Sequence, residues 1–227
     1  MKKLILIMVL PLLFSACNKH DLPLSWEDGK EHIFGEMEDS YGNNYATVQL
    51  DSLVWMRSNM RALNQTDSES CDNQISNTEC ELSGTLYSQD EANSVCIFPW
   101  RLPSKSDFEL LTNYAGKKHK AKCEQEGNCD VVAGDVLKNK ETWGRFSGDN
   151  LIRLNMDPEG YQDINLERFQ DGEYAYFWSS SDLSKSRFSS TQASAYSFYV
   201  TKTEGVFLKE NFKSVKMSVR CVKSIEE

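Results

Sequence analysis

The chain has 227 residues, 40% hydrophobic and 11% aromatic: enough apolar material for one or two domains with a core, and too much for a disordered chain. Its 25 Lys and Arg face 34 Asp and Glu, a formal charge of −9, which argues against a phosphate-backbone binder because that affinity needs clustered cations. Seven cysteines are an odd number, and their placement has to account for the oddness.

Residues 1–17 read MKKLILIMVLPLLFSAC. Lys2 and Lys3 precede an apolar run from Leu4 to Phe14 that is too short for a bilayer core, which needs about 20 helical residues. The run reads as an export signal over residues 1–16. Ser15-Ala16-Cys17 resembles a bacterial lipobox: two small residues admit the peptidase, and the Cys17 thiol accepts the acyl group, with Phe14 where leucine is usual. Two or three acyl chains, at about 0.8 kcal/mol per buried CH₂, anchor such a protein stably. Asn18 after the cysteine, rather than aspartate, points to the outer membrane, on its periplasmic or cell-surface face. Residues 17–33 are polar, with Pro23 and Gly29, and read as the lipidated cysteine plus a flexible tether with a reach of roughly 20–25 Å.

Six cysteines remain, an even set that in an exported chain reads as three disulfides with fifteen connectivities. Cys71 and Cys80 bracket one polar loop and Cys123 and Cys129 another, so locality suggests these two pairs and leaves Cys96 with Cys221. A zinc site around His119, Cys123 and Cys129 lacks a C-x-x-C pair and a fourth ligand, so no metal is expected.

The globular part is expected over residues 34–227. Residues 45–50 and 53–56 read as two short strands with Asp51-Ser52 as their turn. Ser88-Gln89-Asp90-Glu91 forms a capping box opening a helix through Val95, and Ser104 opens a second whose apolar face holds Phe108, Leu111 and Ala115, with Gly116 as its stop. Residues 117–172 are charged and read as loop-rich, with apolar islands such as Trp143. Strands are expected at 174–180, 196–201 and 217–222, with Gly205 to Leu208 as a hairpin arm. Two short helices and a late antiparallel sheet make an α+β domain.

Several blocks then align with a known family. Gly42-Asn43-Asn44-Tyr45-Ala46-Thr47-Val48 followed by Trp55-Met56 and Asn59-Met60-Arg61, then Cys96-Ile97-Phe98-Pro99-Trp100-Arg101-Leu102-Pro103-Ser104, resemble the opening and centre of the Fibrobacter succinogenes major paralogous domain. Residues 133–138 with Trp143, Phe177-Trp178-Ser179-Ser180-Ser181, and Ser218-Val219-Arg220-Cys221-Val222-Lys223 resemble its later blocks, in the same order over residues 36–223. The resemblance implies a C-type-lectin-like fold, loop-rich and disulfide-braced around a twisted antiparallel sheet, and supports pairing Cys96 with Cys221. Phe98-Pro99 and Lys216 depart from the family pattern, and the Cys123/Cys129 pair is outside it. From the residues themselves, Trp100, Trp143 and Trp178 read as core pegs, and Arg101 and Arg220 as partners of buried carbonyls or carboxylates, while Trp55 counts with them as a structural-motif residue.

Catalytic chemistry is sparse. His20, His32 and His119 offer no triad, and no G-x-S-x-G, P-loop or H-E-x-x-H occurs. Ser179-Ser180-Ser181 reads as strand-end hydroxyls. The acidic loop residues Asp149-Asn150 and Asp157-Pro158-Glu159 read as solvated turns, and the E-P-N, Q-P-D and W-N-D motifs of calcium-dependent sugar binding are absent. Expected, therefore, is a non-catalytic binding or adhesion module without cofactor. Tyr161, Phe169, Tyr174 and Tyr176 are its candidate ligand contacts, and neutral polysaccharide or an envelope protein its candidate partner. A cryptic carbohydrate-active module and a structural envelope component are the alternatives.

Overall fold

The computed structural model describes residues 25–27, 30–62, 84–183 and 192–225; Cys17 and the Cys71/Cys80 pair lie outside them. The chain is ordered into strands earlier than the tether reading places it. Ser25–Glu27 (β1) and Lys30–His32 (β2) pair antiparallel, and His32, only 5% exposed, donates from Nε2 to the Leu151 carbonyl at 3.2 Å. The tether is corrected at this end because that contact seats the chain against the domain before residue 34. Phe34–Glu38 (β3), missed in the sequence because a glycine and two glutamates dilute its pattern, pairs with Asn44–Leu50 (β4). Leu53–Met56 (β5) returns after the expected Asp51-Ser52 turn, where Asp51 has φ of 57°.

Among the described residues four α-helices stand where two were expected. Gln89–Val95 (α1) and Lys105–Lys118 (α2) both start with complete capping boxes, at Ser88/Glu91 and Ser104/Asp107. Each N-cap is worth about 1 kcal/mol. Gly116 does not stop α2, since it is buried inside the last turn and the helix ends at His119. Lys120–Glu126 (α3) buries no side chain and ends on Gly127 in the left-handed region. Cys129–Leu137 (α4) is capped by Asn128, whose side chain accepts from Asp130 and Val131 N–H, and it buries Val132, Ala133, Val136 and Leu137.

Tyr161–Gln162 (β6) and Arg168–Phe169 (β7) form a small hairpin, and Tyr174–Leu183 (β8), Ser194–Thr201 (β9) and Val206–Phe212 (β10) an antiparallel sheet in the order β10-β9-β8. Val222–Ser224 (β11) completes the early sheet, β11-β5-β4-β3. The expected strand over 217–222 is corrected. That segment is extended but changes partner at every step: Met217 bridges Tyr87, Ser218 bridges Phe177, and Val222 bridges Arg101 and pairs with Trp55.

Both faces of the three-stranded sheet are covered. Ala175, Phe177, Phe198, Val200 and Val206 pack toward α2 and α4, where the Phe108 and Phe198 rings stack at 4.6 Å. Tyr176, Trp178, Ala195 and Tyr199 point the other way, into a second cluster with Trp100, Met217 and Cys221. Cys96–Cys221 joins the end of α1 to the residue before β11, with Cα atoms 5.7 Å apart. Closing so long a loop stabilises by about 4–5 kcal/mol in the chain-entropy description. Cys123–Cys129 ties the last turn of α3 to the first residue of α4.

Candidate functional site

The residues singled out in the sequence separate into a scaffold and a surface. Trp55, Trp143 and Trp178 are at most 2% exposed and Trp100 8%. The indole N–H of Trp178 donates to the Tyr87 carbonyl and that of Trp143 to the Met156 carbonyl, both at 2.8 Å. Arg220, 1% exposed, donates from Nε to Asn59 Oδ1 at 2.8 Å, from Nη2 to the Asn155 carbonyl at 2.6 Å and from Nη1 to the Leu154 carbonyl. Burial lowers its pKa to about 10, so it remains a cation at neutral pH. Arg101 differs, its side chain 45% exposed and forked onto Asp107 at 2.5 and 3.1 Å. Burial would raise the Asp107 pKa, but the Arg101 fork and the Ser104 N–H and hydroxyl outweigh it and hold the carboxyl below its ordinary value.

The surface is aromatic. Period-two alternation along β8 puts Tyr174 and Tyr176 on the face opposite Ala175 and Phe177. Register then aligns Tyr176 with Tyr199 and Tyr199 with Phe207, so three strands contribute one row of rings. The hairpin β6–β7 extends the row. Its root is Gly160, at φ of 63°, whose N–H donates to the Tyr174 carbonyl at 2.8 Å. A Cβ there would stand 2.2 Å from the Phe169 carbonyl, so only glycine lets the hairpin lie this close.

Ring centroids along the row are 5.4 Å apart for Phe169 and Tyr161, 5.3 Å for Tyr161 and Tyr176, 5.1 Å for Tyr176 and Tyr199, and 5.3 Å for Tyr199 and Phe207. Tyr174 flanks it, 5.7 Å from Tyr176. All four sequence candidates are thus brought together. The buried members, Tyr176 and Tyr199, form the base, while Tyr161, Tyr174, Phe207 and Phe169 reach solvent. The Tyr176 hydroxyl donates to Gln170 Oε1 at 2.5 Å, and burial followed by the neighbouring tyrosines pushes its ionisation far up, so it stays neutral. Lys209 stands over the Tyr199 and Phe207 rings at 5.1 and 5.5 Å, and the Tyr199 hydroxyl raises its pKa, keeping a fixed cation at one end.

Tyr199, Phe207 and Lys209 escape the sequence reading because only strand register places them beside β8. The Asp163 loop at the hairpin tip exposes Ile164 and Leu166 by 68% and 50%. Among the described residues no three His, Cys, Asp or Glu stand together as a metal set. His119 Nε2 instead meets Asp149 Oδ2 at 2.5 Å, and Cys123 is bonded to Cys129.

The Fibrobacter succinogenes major domain matches residues 48–223, the greater part of the chain. The chain belongs to that family. The family domain begins at Val48, so Gly42 to Thr47 of the opening block precede it, while Trp55, the Cys96–Cys221 bridge, the aromatic row and Arg220 all fall inside it. No curated protein and no solved structure matches the chain. No described helix is long and apolar enough to cross a membrane.

Proposed function

We propose that this chain is a non-catalytic bacterial lipoprotein, held at the outer membrane through acylated Cys17, whose family domain is a C-type-lectin-like binding and adhesion module. The observation carrying the binding reading is the aromatic row: six rings in contact, based on buried Tyr176 and Tyr199, with Phe169, Tyr161, Tyr174 and Phe207 meeting water. A surface of rings over a rigid sheet, with hydroxyl and amide groups at its margin, suits the C–H faces of a neutral polysaccharide. The exposed Ile164 and Leu166 beside it favour a second reading, contact with an envelope protein.

The test uses the full chain in detergent micelles on a glycan array and in a cellulose pull-down. Glycan capture that falls at least about tenfold in Phe169→Ala/Tyr174→Ala agrees with stacking worth about 1.4 kcal/mol or more. Capture unchanged in that variant removes the aromatic row from the reading, and release of reducing sugar contradicts a non-catalytic role. For the anchor, radioactive palmitate should label the wild type; label persisting in Cys17→Ala refutes it.

A further inference from the structure

The cations around the aromatic row are not alike. Lys202, next to the strand partner of Tyr174, is paired with Glu173 at 3.3 Å, and Arg168, next to Phe169, with Glu159 at 3.5 Å. Lys209 differs: among the described residues no carboxylate stands within ion-pair distance of it, and Glu204 acts on it only from farther off. Alternation along β10 puts Phe207, Lys209 and Asn211 on one face, and the register sets Phe207 beside Tyr199 and Lys209 beside Ser197. Side chains hold the strand there as well, since Ser197 Oγ donates to the Lys209 carbonyl at 3.4 Å and Asn211 Nδ2 to Ser197 Oγ at 2.6 Å. Lys209 is exposed, and its ammonium stands 5.1 Å from the Tyr199 centroid and 5.5 Å from that of Phe207.

A pyranose stacked by its C–H face on Phe207 carries its C5 substituent at the rim of the sugar, not toward the aromatic ring. In a neutral hexose that group is a hydroxymethyl; in a hexuronate it is a carboxylate. The aromatic rings do not distinguish the two, whereas a cation beside the same ring does. We infer, resting on the polysaccharide reading above, that the β10 end of the row is a hexuronate subsite with Lys209 as its specificity-determining residue. Neutral sugars then lie along Tyr174, Tyr161 and Phe169, and the ligand is a polysaccharide with occasional hexuronic acid units. The spacing of acidic units matters because the chain carries a formal charge of −9 and Glu173 and Glu204 stand near the row, so a polysaccharide acidic at every unit is repelled beyond Lys209. A single carboxylate gains a charge-assisted bond at the surface, a preference of roughly fivefold.

The test is binding of the full chain in micelles to matched pairs of immobilised tetrasaccharides. These are β-linked glucose, mannose and galactose, each neutral and with its terminal residue oxidised at C6 to the uronate. In each pair that binds, the oxidised member should bind roughly fivefold tighter, and the gap should close at about 1 M salt, where screening acts beyond about 3 Å. Lys209→Gln should bring the two members within about twofold of each other, and Lys209→Arg should keep the preference. Lys202→Gln, which removes the same formal charge from a lysine already paired, should keep it too. Equal binding of both members by the wild type overturns the inference and leaves the polysaccharide reading standing. A preference that outlives Lys209→Gln, or one lost equally in Lys202→Gln, overturns it as well. Silence of every tetrasaccharide withdraws the polysaccharide reading and the subsite together.

Discussion

Arg101 and Arg220 stand in similar family blocks, yet their surroundings predict very different costs of removal. Arg220→Met keeps most of the side-chain stem and deletes three charged donors from Asn59 Oδ1 and the Leu154 and Asn155 carbonyls. Each buried acceptor left without its donor costs about 1–3 kcal/mol. Against this, the folded state no longer desolvates a guanidinium, a saving of several kcal/mol that offsets part of the loss. With three acceptors stranded in a site 1% exposed, the net loss should be about 3 kcal/mol. In urea, with a slope of about 2–3 kcal/mol/M, the unfolding midpoint should fall by about 1 M. Arg101→Met removes a pair whose arginine is 45% exposed and should cost no more than about 1 kcal/mol. Arg220→Lys, which keeps the charge and a share of the bonds, should fall between. If Arg220→Met unfolds within about 1 kcal/mol of the wild type, or Arg101→Met costs as much as Arg220→Met, the assignment of Arg220 as a buried carbonyl clamp is wrong.

Gly160→Ala should displace the β6–β7 hairpin, because its Cβ meets the Phe169 carbonyl at 2.2 Å and the left-handed φ adds about 1–2 kcal/mol; loss of the nuclear Overhauser contact between Tyr161 and Phe169 would register it. Asp107 has a folded pKa below its ordinary value of 3.8, so its contribution is present above that pH and is lost as pH falls through the folded value. Thermal melts should therefore show the wild type losing its advantage over Asp107→Asn only below about pH 4; a constant gap between pH 6 and 2.5 would contradict the Arg101 fork as its source. Cys123→Ser/Cys129→Ser opens a loop of sequence separation 6, and should cost about 2 kcal/mol in urea while leaving the Cys96–Cys221 bridge intact by peptide mapping.

What the sequence disclosed was what is decided locally. Both capping boxes, the turn at Asp51-Ser52 and the tryptophan pegs depend on a few adjacent residues, and they stand where the residues put them. The missed helices show the other case. α3 has no buried side chain and hence no apolar stripe to detect; it is held by the Cys123–Cys129 link and the ion pairs of Lys122 with Glu126 and Asp135. α4 is short and rich in valine, and its position depends on Gly134 meeting Gly205, where a Cβ would find the Gly205 Cα at 3.0 Å. That is a contact between backbones 71 residues apart in order, invisible to periodicity. The same holds for the aromatic row: Tyr161, Phe169, Tyr174 and Tyr176 are close in sequence, whereas Tyr199 and Phe207 join them only through the β8–β9 and β9–β10 registers.

The placement of β11 carries a further consequence for how such a chain is made. Val222–Ser224 pairs with Leu53–Met56, and Cys221 closes onto Cys96, so the first sheet and the long disulfide both wait for residues 221–224. A chain made from its N-terminus holds an unfinished sheet edge at β5 until residues 222–224 have been added. Residues 221–224 act as the latch: a chain lacking them would leave β5 without its β11 partner and Cys96 without Cys221.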